Sequence, residues 1–381
     1  MISLFLLAFL SLIILWNLYY ATHWNKNLTI SLAFCQDFVY AGEQAELTEQ
    51  IENRKSMMLP VLEVAFHMDK KLSFHDCENT SVSDYTYKRD IFALLGNQRI
   101  TRKLTLDCKQ RGYYQIDKSH LTAFSMLYRK RFSIECPADT ALYVYAARTN
   151  VADILIACER LMGNIQCAKR LYEDPFAFSS IREYTVTDPM NTINWKASAR
   201  TGELMVNTFE STLTQKVVLY LDIEDRGILK YEHLIEESIS VAATLTRKFI
   251  ARGMEVGICV NTDINVVEPA GGKKQLANIE QMLAKCKSDD SVIPFTSFLK
   301  MLFCPQTDLS PTSRKTLSAE RWKDAFSIFI SKNAIQNQTA IEQFIGKEQP
   351  AIWVVPYSRS ELCDIITSDN IRLIKREGAQ A

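Results

Sequence analysis

The residue types most able to do chemistry in this chain are concentrated between positions 180 and 207. Arg182, Glu183, Tyr184, Asp188, Asn194, Trp195, Lys196 and Arg200 all fall within this one short stretch. Arginine and tryptophan dominate protein interface hot spots. Arg182, Trp195, Lys196 and Arg200 therefore read as a dock for an acidic protein partner. The plainer reading is local: Asp188 caps a helix, Trp195 packs between domains, and Lys196 and Arg200 are solvated or paired with Glu183. A second group, His67, His75 and Cys77, offers zinc-type donors, but a fourth ligand at standard spacing is missing. No G-x-x-x-x-G-K-[ST], G-x-S-x-G or H-E-x-x-H occurs, and Gly271-Gly272-Lys273-Lys274 reads as a loop. Catalysis is not expected.

The 180–207 stretch needs a helix to hold it. Asp188 suits an N-cap, Pro189 the first helical position, Arg200 the last turn and Gly202 the residue past the end, predicting a helix of about 12 residues. A strand follows at 204–209. On the helix Met190, Ile193 and Ala197 would share an apolar face, and Thr192, Lys196 and Arg200 a basic stripe.

Around this stretch the period of the apolar pattern divides the chain. From about residue 27 to 146 it is two: Leu62, Val64, Phe66 and Met68 alternate with Glu63, Ala65 and His67. With turn signals at Gly42, Arg54, Gly96 and Gly112, this predicts an antiparallel sandwich. Residues 148–172 read as a bridging helix, with Ile154, Ala157, Leu161 and Ile165 at helical spacing. After the signature, strands at 216–223, 254–260, 326–330 and 352–355 alternate with helices at 231–252, 275–286, 317–323 and 338–346. That order predicts a doubly wound α/β domain. The expected divisions are 1–24, 25–147, 148–212 and 213–381, an α+β multidomain chain.

Residues 2–20 carry no charge, and about 20 apolar residues span a bilayer core of about 30 Å. Trp16, Tyr19, Tyr20 and Trp24 sit at the distal end, where aromatic rings favour the membrane interface. The segment is expected to be an anchor rather than a cleaved signal peptide, because no Lys or Arg precedes it and no convincing A-x-A site follows. Lys26 after the segment leans toward a cytoplasmic soluble portion. The ten dispersed cysteines, without any C-x-x-C pair, also suit a reducing compartment. Lys plus Arg equal Asp plus Glu at 44 each, leaving no field to draw the whole chain to nucleic acid.

The run Arg182-Glu183-Tyr184, Asp188 and Ile193-Asn194-Trp195-Lys196-Ala197-Ser198-Ala199-Arg200-Thr201 resembles the hallmark of the bacterial domain of unknown function 58 family. Thr187, Asn191 and Thr192 depart from the residues common there, which leaves the identity of a partner open. The resemblance implies a von Willebrand factor A-like α/β domain. It further implies an adaptor or assembly role beside a MoxR-type AAA+ ATPase. Such A-type domains often hold Mg²⁺ through D-x-S-x-S plus a Thr and an Asp. Here the equivalent run is Asp222-Ile-Glu-Asp-Arg226, with Glu224 and Arg226 at the serine positions, and Ser331-Lys332-Asn333 lacks the expected Asp. Asp222 and Glu224 are therefore candidates for a vestigial metal site, no cofactor is expected, and Asp222 is expected to orient backbone groups. The alternatives are an outward-facing receptor dependent on a divalent metal and a structural cell-envelope protein.

Overall fold

A computed structural model describes residues 2–76, 78–125, 130–169, 178–186, 188–209, 215–225, 230–262, 265–286, 292–303, 322, 325–346, 350–358 and 370–377. Cys77, Thr187, Arg226 and nearly all of the expected helix at 317–323 lie outside them. The chain divides into two compact units, residues 1–148 with 280–286, and residues 149–279 with 287–381.

The first unit begins with α1 (Ile2–His23), long and apolar enough to cross a membrane over Leu6–His23. Ten strands follow: β1 (Leu28–Phe34), β2 (Phe38–Tyr40), β3 (Gln44–Asn53), β4 (Leu59–Asp69), β5 (Leu72–Phe74), β6 (Thr80–Val82), β7 (Tyr85–Leu94), β8 (Gln98–Cys108), β9 (Gly112–Phe124) and β10 (Arg131–Tyr145). They form one sheet ordered β1-β3-β8-β5 and another ordered β2-β10-β9-β4-β7-β6. All pairings are antiparallel except β2 with β10. Alternate residues point inward, so Leu47, Leu72 and Leu106 from one sheet share a core with Phe66, Ile116 and Leu142 from the other.

The end of α1 belongs to this sandwich. Tyr20 and Trp24 are only 2% and 5% exposed, packed with Ile51, Leu59, Leu62, Val64 and Leu121. This corrects the expected interfacial cluster: Trp16 and Tyr19 remain exposed, whereas Tyr20 and Trp24 plug the core. The reason is where the strands close around the helix: Trp16 shares the face of Tyr20 and Trp24 but lies a turn beyond the sheets. Tyr20 and Trp24, four apart on that face, are the part of it that the open end of the sheets covers. Between the two core clusters lies a charged set: Arg102 bonds both Glu49 and Asp90, and Lys88 stands 3.9 Å from Asp90. Burial pushes the Glu49 carboxyl up, opposed by Arg102 beside it. His67 contacts the rings of Tyr85 and Tyr87, and His75 lies 3.4 Å from Asp107. Among the described residues no group of three potential ligands converges.

The second unit is built on a sheet of β13 (Lys216–Leu221), β14 (Glu255–Val260), β15 (Asn265–Ala270), β16 (Phe326–Ile330), β17 (Ala351–Tyr357) and β18 (Ile371–Glu377), ordered β15-β14-β13-β16-β17-β18. Every pairing is parallel except β15 with β14. Its central strands are buried on both faces, hence their unbroken apolar runs. Val218, Tyr220, Phe329 and Trp353 pack against α6 (Phe295–Phe303) and α7 (Ala334–Ile345). The other side meets α4 (Glu232–Ala251). Residues expected to bridge two domains instead join this unit: α2 (Ala152–Lys169) meets β17 and buries Ile154, Ala157 and Cys158. Gly272-Lys273-Lys274, expected as loop, opens α5 (Gly272–Lys285).

Deleting the Trp24 side chain should cost the first unit about 3 kcal/mol, because it leaves a cavity in a shared core. Trp16→Ala, at an exposed position of the same helix, should stay within about 0.5 kcal/mol of wild type. Urea unfolding of the full chain in detergent compares the two; equal losses would contradict the packing described.

Candidate functional site

The signature residues sit on an antiparallel pair, β11 (Phe178–Glu183) and β12 (Met205–Phe209), with Arg182 opposite Val206 and Glu183 opposite Met205. Between them run a turn, a 3-10 turn at Met190–Thr192 and the short α3 (Trp195–Thr201). The expected longer helix is not formed, and the cause is local. The Asp188 carboxylate accepts two bonds from the Arg182 guanidinium at 2.6 and 2.5 Å. It also accepts the Thr185 N–H at 2.9 Å and the Thr185 hydroxyl at 2.8 Å. Its lone pairs are spent, so it cannot cap a helix. The Arg182 bonds, with those of Thr185, hold its carboxyl well below the usual carboxylate range.

Asn194 caps α3 instead, accepting the Ala197 N–H at 3.0 Å, and its amide donates to Asn207 at 2.7 Å across to β12. Ser198 donates to the Asn194 carbonyl and accepts the Met205 N–H, both at 2.9 Å. Gly202 takes φ +81°, a left-handed position that ends the helix with its N–H on the Ser198 carbonyl. Tyr184 is half-buried and its N–H donates to the Leu204 carbonyl at 2.8 Å.

What this frame presents departs from the plainer expectation. Trp195 is 70% exposed. Lys196 and Arg200, four apart on α3, are exposed, and neither forms an ion pair among the described residues, so the expected pairing with Glu183 is not made. Arg182 differs: its charge is committed to Asp188, and it supports the turn rather than offering a free cation. Met190, expected on an apolar face with Ile193 and Ala197, is exposed, because the extended backbone at Ile193 turns only that residue inward. Ile181, Val186 and Leu204 add to the exposed apolar set.

A second constellation lies at the carboxyl end of β13. Asp222 is 1% exposed, and its carboxylate accepts the Glu224 N–H at 3.0 Å and amide groups of Asn261 at 2.9 Å, Asn333 at 3.3 Å and Asn337 at 2.8 Å. The Ser331 hydroxyl adds a fifth bond at 2.7 Å. Burial pushes the Asp222 carboxyl up, and these bonds, Ser331 first, oppose it. Glu224 accepts the Phe295 N–H at 3.1 Å, and its carbonyl accepts Asn333 at 2.8 Å. Asp225 and Lys332 form a buried pair at 2.5 Å, with Asp225 also accepting the Tyr231 N–H.

The set around Asp222 suits hydrogen-bond donors. A divalent cation would need the same oxygen lone pairs and stand near an ammonium, so these residues do not fit one. Arg226, expected to place its charge there, lies outside the described residues; Lys332 is close by instead. Sequence reasoning missed Asn261 and Asn337, and gave Lys332 no role. A visible signal was the amide following each apolar strand, Asn261 after β14 and Asn333 shortly after β16.

Residues 180–328 match the family described as protein of unknown function DUF58. A comparison with curated proteins finds no match. Among solved structures, the chain is similar to a non-cellulosomal cohesin from Archaeoglobus fulgidus, at 9% identity over 34% of this chain and 97% of that one, TM-score 0.22. It is also similar to the CARDB domain of a Pyrococcus furiosus protein, at 11% identity over 30% and 90%, TM-score 0.19. A ScaB type I cohesin from Pseudobacteroides cellulosolvens is 13% identical over 32% and 95%, TM-score 0.21.

Replacing Asp222 by Asn should destabilise the second unit by at least about 3 kcal/mol. It exchanges an acceptor of five bonds for an amide whose N–H₂ faces other donors, and each buried donor left unpaired costs about 1–3 kcal/mol. Guanidinium unfolding reads the loss; a change below about 0.5 kcal/mol would contradict a structural role for this carboxylate.

Proposed function

We propose that this protein is a membrane-anchored adaptor that docks another protein through the exposed face of α3. The observation that carries the reading is Trp195, 70% exposed beside Lys196 and Arg200, on a helix held rigid by Asn194, Ser198 and Gly202. A large aromatic flanked by cations without an ion-pair partner among the described residues is the composition of a binding hot spot. Val186, Met190 and Leu204, exposed in the same segment, add apolar surface of the kind interfaces use. A partner with an acidic rim and an apolar centre fits this face.

The α/β unit is read as von Willebrand factor A-like, a reading supported by its strand order with one antiparallel edge strand and by Asp222 at the strand ends. From the family resemblance, the partner is a MoxR-type AAA+ ATPase. The soluble portion is placed on the cytoplasmic side, with α1 as a single-pass anchor. Catalysis forms no part of the role, and no cofactor is required. The outward-facing metal-dependent receptor is disfavoured by the hydrogen-bond donors that occupy Asp222.

Crosslinking pulldown from native membranes tests the dock, comparing wild type with Lys196→Glu/Arg200→Glu after both are shown to fold. Wild type should recover the ATPase and the double variant should lose at least about 10-fold, as expected when two interface cations are reversed. Recovery of no ATPase by wild type would sink this function. A separate check concerns metal: neither EDTA nor added MgCl₂ should move the thermal midpoint of the second unit. A rise with Mg²⁺ that EDTA reverses would favour the receptor reading.

A further inference from the structure

The end of the sandwich that receives α1 is built as one plate. Asn53, fully buried, donates both amide hydrogens, to the Met57 carbonyl and the Leu95 carbonyl, each at 2.9 Å. The Asn97 N–H donates to the Lys55 carbonyl at 3.0 Å, and the Arg54 N–H to the Asn27 carbonyl at 2.9 Å. Gly96 is required by the closeness of the two loops, since a Cβ there would stand 2.3 Å from the Ser56 carbonyl oxygen. Lys55 reaches across to the Trp24 carbonyl at 2.6 Å, capping the end of α1. The β3–β4 loop, the β7–β8 loop and the helix exit are thus fixed to one another.

This plate carries apolar side chains that the described residues leave exposed. Met58 is 45% exposed and Leu95 64%. Ser56 and Met57 line a groove together with Leu12, Leu15, Trp16 and Tyr19 of α1, residues that share one helical face. Those four lie within the apolar window Leu6–His23. Leu12 is about 12 Å along the helix axis from Tyr20, where the core takes hold of α1. A loop that shares a groove with Leu12 through Tyr19 stands beside the membrane-crossing stretch and not above it. Lys26 is exposed at the helix exit, where a cation meets lipid phosphates.

We infer that this end of the sandwich is a membrane-seated surface, with Met58 and Leu95 inserted into the lipid interface and an acyl chain filling the groove between Met57 and α1. The occupant is bilayer lipid because the groove is walled by the very residues that face lipid when α1 crosses it. Trp16 and Tyr19, both exposed, mark the interfacial depth. The inference rests on α1 being an anchor and adds an orientation: the sandwich is pressed to the bilayer by two loops instead of swinging on a tether.

The test uses the full chain in vesicles of phosphatidylcholine and phosphatidylglycerol, with a genetically encoded fluorophore at one position per variant and lipids carrying a nitroxide near the headgroup or along the chain. Labels at positions 58 and 95 should lose emission to shallow nitroxides about as strongly as a label at position 22. A label at position 109, about 33 Å away at the opposite end of β8, should not respond. A label at position 10 reports the anchor through deep nitroxides. If position 10 is quenched while 58 and 95 are not, the surface inference is overturned and the anchor stands. If position 10 is not quenched by any lipid, both fall. Quenching at 109 equal to that at 58 would also overturn the orientation.

Discussion

A helix of seven residues has too few internal hydrogen bonds to hold itself together, since isolated helices below about 12 residues are marginal in water. That constraint governs the signature region. α3 exists because side chains from its flanks tie off its ends: Asn194 at the start and to Asn207, Ser198 to both Asn194 and Met205, and Gly202 at the finish. The Arg182–Asp188 clamp fixes the approach to it. Most of the signature's polar residues are therefore spent on construction. Those left over, Trp195, Lys196 and Arg200, face outward from a short rigid platform, and so the functional reading falls on them. Preorganisation of this kind lowers the ordering cost of binding.

The same economy operates at the end of β13. A carboxylate in the interior must be paired or fully hydrogen-bonded. Asp222 draws in donors from the ends of β14 and β16 and from α7, fastening the strand ends in addition to their ladders and core packing. Lys332 answers Asp225 nearby. Charge inside this unit is thus balanced by the chain's own groups.

The parts of this structure that were legible in the sequence are those where burial is one-sided or complete. Leu62 to Met68 alternates because one face of β4 is covered, and Val217 to Leu221 is unbroken because both faces of β13 are. The edge strands were not legible: β15 contains Pro269, and β18 mixes Arg372, Lys375 and Arg376 among its apolar residues, as exposed edges permit. At the site, Asp188 followed by Pro189 carries a strong helix-start signal, yet tertiary pairing with Arg182 overrides it. Nothing local distinguishes Tyr20 and Trp24, which enter the sandwich, from Trp16 and Tyr19, which do not. That difference depends on where strands distant in sequence close around the helix.

The most direct test of the central claim is photo-crosslinking in native membranes from a benzophenone side chain at position 195, with a second probe at position 135 on β10 as control. The account predicts an adduct with an AAA+ ATPase at 195, absent at 135 and lost when Lys196 and Arg200 are reversed to Glu. A Trp195 site that yields only lipid or solvent products, while the protein is folded and the ATPase is present, would contradict it.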